Sequence, residues 1–146
     1  MMPTFRDPAD RAAIVARLDR LTEQMPPKWG RFTAAKMLAH MTDACRMALG
    51  ELPVRRRNIP LIDRFPVKHL VLYVLPFPKN SPTAREIISR MPEPFDAERT
   101  QLKALITQLD GNTGKAPHPI FGLLTPNEWG VLGYKHLDHH LRQFGV

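Results

Sequence analysis

TPNEWGVLGYKHLDHHLRQFGV, residues 125–146, is the stretch on which the reading of the fold turns. Thr125-Pro126-Asn127-Glu128 has the form of a capping box with proline at the first helical position, so a helix starts here. From that anchor each residue advances by roughly 100° around the axis. His136 and His140, four apart, fall on the centre line of an apolar stripe formed with Trp129, Leu132, Leu137 and Phe144. His139 falls on the border of the stripe, toward Lys135, Glu128 and Arg142. A buried imidazole is costly unless both ring nitrogens find partners. Two readings follow from spacing alone: a hydrogen-bonded core pair, or an H-x-x-x-H pair aiming two nitrogens at one ion.

Working back toward the N-terminus, three further long helices are predicted. One spans Asp96 to Leu109, with Leu102, Leu105, Ile106 and Leu109 on one stripe and Asp110-Gly111-Asn112 as its stop. Another spans Thr33 to Leu49, capped by Thr33 and stopped by Gly50. The first spans Pro8 to Met25 behind an Asp7 cap, with Ile14, Leu18 and Leu21 at helical spacing. Its end is set by PPKWG at 26–30, because paired prolines cannot continue a helix. Residues 51–94 hold eight of the fifteen prolines, which excludes long helices and leaves two short ones, 67–75 and 82–91. KAPHPIFGLL at 115–124 reads as a proline-broken loop. Four long helices without a strand set give an all-α bundle, expected as one domain over residues 1–146.

The helix over 33–49 adds a third imidazole. His40 lies just inside the edge of an apolar face built from Met37, Met41, Ala44, Met47 and Ala48. Alone it reads as a rim histidine; opposite the 136/140 pair it reads as a further ligand. Asp43, one turn on, is the candidate catalytic base or outer carboxylate beside an imidazole. Cys45 on the apolar side is expected as an inert buried thiol. Trp29 and Trp129 are expected in the core, His118 as a structural or exposed loop histidine, and His69 at the surface.

The chain of 146 residues is long enough to bury a core without staples, and its 43% hydrophobic and 24% charged content is ordinary. The start lacks the pattern of a secretory signal, and the most apolar run, 69–77, is far shorter than the ~20 residues that cross a bilayer. A lone cysteine excludes an internal disulfide framework and points to the cytoplasm. The net charge is +7, with Arg55, Arg56 and Arg57 as the densest patch. Without an aromatic-interleaved basic stripe this argues against nucleic acid. The arginines remain available for a substrate carboxylate or phosphate.

MLAH at 37–40, together with HPIFGLLTPNEWGVLGYKHLDHHLRQFG at 118–145, resembles the DinB/YfiT-like metal-binding superfamily. PKWGRFTAAKMLAHM at 27–41 resembles the first block of a branch of uncharacterised bacterial proteins within it. The resemblance implies an antiparallel four-helix bundle with a long crossover between helices two and three, here the proline-rich 51–94. It also implies a divalent metal, zinc or nickel, held by His40, His136 and His140. Some superfamily members are thiol-dependent transferases or isomerases, so the expectation is a metal-dependent thiol transferase or hydrolase acting on a small molecule. The rivals are a non-catalytic metal-binding bundle and an anion-binding module using the arginines. Pairing into a homodimer is compatible with the resemblance.

Overall fold

A computed structural model describes residues 1–110 and 117–146. Among these residues there are five α-helices and no strand: α1 Pro8–Arg20, α2 Ala34–Ala48, α3 Val67–Tyr73, α4 Phe95–Gln108 and α5 Pro126–Gln143. Asp7 caps α1, accepting from the amides of Ala9 at 2.8 Å and Asp10 at 3.0 Å. At α5 both halves of the capping box form: Glu128 N–H donates to Thr125 Oγ1 at 3.2 Å, and Thr125 N–H to Glu128 Oε2 at 2.8 Å. Gly50, at φ +78°, takes the left-handed conformation that ends α2 without a Cβ penalty.

Two expectations are corrected. The first helix stops at Arg20 rather than Met25, because Leu21 turns extended to bury its side chain and Arg99 of α4 donates to its carbonyl at 2.7 Å. The stretch 82–91 is not a helix. It holds only a single 3-10 turn, Arg85–Ile87, and Ser81 turns its hydroxyl to the Pro78 carbonyl instead of capping. Of the expected stop after the 96–109 helix, Gly111 and Asn112 lie outside the described residues.

α2 packs most extensively on α4 and also meets α5, while α1 contacts α4 and α5. The fully buried side chains come from all four: Leu18, Met37, Leu38, Leu102, Ile106 and Leu137. Burying each contributes on the order of 2 kcal/mol. The 51–94 connection anchors Leu72 and Ile87 in the interior and is otherwise held by polar clamps. Lys135 of α5 reaches the C-terminal carbonyls of α3, donating to Val71 at 2.8 Å and also to Leu72 and Leu75. Lys68 pairs with Glu128 at 3.1 Å. At the other end Arg90 donates to the wholly buried Glu98 carboxylate at 2.6 Å and to Asp43 at 3.2 Å. No helix among the described residues is long and apolar enough to cross a membrane.

Candidate metal centre

Helical spacing brings His136 and His140 onto one face of α5, and packing of α2 against α5 sets His40 opposite them. His136 Nε2 lies 3.0 Å from His40 Nε2 and 3.2 Å from His140 Nε2. The outer nitrogens are held from behind: His40 Nδ1 is 2.9 Å from the Ile87 carbonyl, and His140 Nδ1 is 2.8 Å from Gln143 Oε1. Gln143 is itself oriented by donating from Nε2 to the Trp29 carbonyl at 2.7 Å.

Those partners decide the tautomers. Carbonyl oxygens only accept, so the protons of neutral His40 and His140 sit on Nδ1 and their Nε2 atoms present lone pairs. Both lone pairs face His136 Nε2, which has at most one proton to share. A purely hydrogen-bonded trio is thus left one bond short. A cation satisfies all three. The ligand atoms lie within 4.8 Å of one another. Nitrogens bound at tetrahedral zinc distances sit about 3.3 Å apart, close to the separations here. Burial drives the imidazoles neutral, which ligation requires. His136 is pushed well below the ordinary histidine range by burial and then by His40 and His140. His140 is lowered to about 3, mainly by burial. His40 is lowered by burial, against the opposing pull of Ile87 and Asp43.

Beside the trio opens a pocket of about 530 Å³, onto which His136, His139 and His140 face. Phe77 lies flat on His136, 5.0 Å between centroids and 6° between planes, and its segment roofs the cavity. Phe121, Ile120, Leu132 and Met47 form apolar wall. His118 also lines it. Its Nδ1 accepts from the amides of Ile120 at 3.0 Å and Phe121 at 3.3 Å, leaving the proton on Nε2, and burial lowers its pKa to about 4.

His40, His136 and His140 come together as anticipated, and His139 stands apart at the rim between Trp29 and Phe77. The Asp43 carboxylate accepts from Arg46 at 2.9 Å and from Arg90, it is absent from the pocket wall, and the Ile87 carbonyl does the orienting of His40. Asp43 is one node of the ion network that ties the 51–94 connection to α2 and α4. Trp129 is buried as expected, whereas Trp29 lies at the pocket rim under the Lys79 ammonium, 4.4 Å from the ring centroid. Of the three arginines, Arg56 is engaged by the His118 carbonyl and Asp63, and Arg57 faces the pocket. Cys45 is buried and its thiol is pushed up to about 12.

Three contributors escaped the sequence reading: Ile87, Gln143 and Glu98. Ile87 acts through its backbone and leaves no signal in side-chain type. Gln143 sits one turn after His140 with an amide suited to an imidazole, and Glu98 lies four residues before Leu102 on the apolar stripe of α4. Both carried a legible cue.

Helices alone among the described residues, with three imidazoles shared between two of them, placed so that they could hold a metal ion and open to a pocket, define a helical protein with a candidate metal centre. The chain belongs to the DinB superfamily, whose signature matches residues 8–144. No curated protein and no solved structure matches it.

Proposed function

We propose that His40, His136 and His140 hold one divalent ion, zinc or nickel, and that the chain is a metal-dependent enzyme acting on a small molecule by thiol transfer or hydrolysis. In this reading α1, α2, α4 and α5 form an antiparallel four-helix bundle in one domain, with 51–94 as the crossover above the site. The observation that carries the proposal is the convergence of three Nε2 atoms whose outer nitrogens are already held by carbonyl oxygens. Three neutral ligands leave coordination positions open, the arrangement of catalytic rather than closed structural sites. When bound, such an ion supplies Lewis acidity, polarising a carbonyl or lowering the pKa of a water or thiol.

The chain's own residues then have distinct parts. Ile87 and Gln143 fix the ring orientations of two ligands. His118 offers an N–H from Nε2 at the pocket wall. His139, half-buried and kept neutral chiefly by burial, is the imidazole available to take or give a proton at the rim. Two guanidinium groups hold the Asp43 carboxylate, so this reading gives the proton-transfer part to His139 and leaves Asp43 as a charge near His40.

Elemental analysis of tag-free protein beside a His136→Ala/His140→Ala variant tests the reading. The expected result is about one zinc or nickel per chain in the parent and none in the variant. Failure of the parent to retain either metal after reloading makes the trio a structural network and removes the basis for an enzyme.

A further inference from the structure

The residues lining the pocket are lopsided in charge. None of them is an aspartate or glutamate, while Arg31 and Arg57 both face it. Neither guanidinium has a carboxylate within ion-pair distance among the described residues. Glu86, held by the Arg55 amide at 3.1 Å, stands near Arg57 but outside the pocket wall. Lys79 adds a third cation, its ammonium 4.4 Å from the centroid of the half-buried Trp29 ring at the rim, so that aromatic face is already covered by a cation. Lys135 lines the cavity too, with its ammonium turned into the α3 carbonyls.

The trio has the same sign. Three neutral imidazoles leave the full charge of a divalent ion uncompensated. Apolar walls with little dielectric screening focus that field into the cavity. Those walls are also too extensive to be covered by a small inorganic anion: Phe121, Ile120, Leu132, Met47, Ile62 and Val71 surround a volume within the roughly 300–1,000 Å³ of small-molecule sites.

Resting on the reading of the trio as a metal centre, we propose that the pocket takes a monocarboxylate with an apolar body. The carboxylate lies in the positive field of the ion and the rim arginines, and the hydrocarbon lies against the wall. A cation has no acidic partner here, and a neutral alcohol forfeits the charge.

Octanoate, 1-octanol and octylammonium, equal in chain length and differing in head group, make the test. Each is titrated into zinc-loaded protein at pH 7, with the fluorescence of Trp29 and Trp129 as the readout, since both rings border the cavity. Octanoate is expected to saturate the signal and to bind at least about tenfold more tightly than either of the others, the scale of one charge-assisted contact. An Arg31→Gln/Arg57→Gln variant, altered only at exposed side chains, is expected to lose about tenfold for octanoate and to leave octanol unchanged. Equal binding of octanol or octylammonium, or no saturation by octanoate, overturns the proposal. Metal content of the same samples separates the two readings. Retained zinc without carboxylate preference sinks this inference and leaves the metal centre standing. Carboxylate preference in zinc-free protein, abolished by the arginine variant, upholds the inference when the metal reading has failed.

Discussion

The α2–α5 seam and the 51–94 connection face each other across the same pocket, yet they are built on opposite principles. The seam places His40, His136 and His140 by helical register, each on a backbone whose own hydrogen bonds make it stiff. The connection has one helix of seven residues and a single 3-10 turn, with Leu61, Phe65, Val74 and Leu75 left exposed. Its position depends on a few ion pairs and lysine clamps together with the buried side chains of Leu72 and Ile87. What it contributes to the centre is correspondingly different: a backbone carbonyl from Ile87 and an aromatic lid from Phe77. The three imidazoles come from the rigid side, and their orientation comes partly from the clamped one.

The largest way to break this division is at its strongest clamp. Arg90→Met leaves the Glu98 and Asp43 carboxylates, exposed by only 0% and 5%, without their shared partner. Removing one member of a buried pair costs about 3–5 kcal/mol, readable as a shift of the urea midpoint. The variant should also bind zinc more weakly as Ile87 drifts from His40. Unchanged stability would mean that the connection is held by something other than this network.

Gln143→Leu probes the seam itself. It removes the acceptor behind His140 and the donor to Trp29, and comparable losses around metal ligands weaken affinity by about 10–100-fold. Competition against a chelator measures this, and an undiminished affinity would deny Gln143 any orienting part.

Acid should act on both sides of the pocket. His118 stays neutral in the fold down to about 4 and His140 to about 3, whereas the unfolded chain protonates both near 6.5. Between those limits the unfolded state binds more protons, so stability of metal-free protein falls as pH falls. Thermal melts from pH 7 to pH 4 should show Tm declining below about 6.5, and a flat profile would contradict the buried neutral imidazoles.

Thr125→Ala, at the far end of α5 from the ligands, should cost about 1 kcal/mol through the lost cap and leave metal content intact. His139→Gln should likewise leave metal content intact, because its ring is not among the converging three. Loss of metal in that variant would bring His139 into the centre.

Local chemistry determined a good deal of this protein from the sequence alone. The Thr33 cap and Gly50 delimited α2 within a residue, and the Thr125 capping box fixed the start of α5, because cap and left-handed glycine act within one turn of chain. Periodicity then put the imidazoles of His136 and His140 on the apolar face. The fate of Asp43 could not be read that way. It lies one turn from His40 on α2, and whether its carboxylate meets an imidazole or an arginine depends on where Arg90, 47 residues away, arrives. The same holds for the Ile87 carbonyl, the early end of α1 at Leu21 and the half-buried position of Trp29 at the pocket rim. Each is decided by contacts between segments distant in sequence, where burial and charge pairing across the fold outweigh the preferences of neighbouring residues.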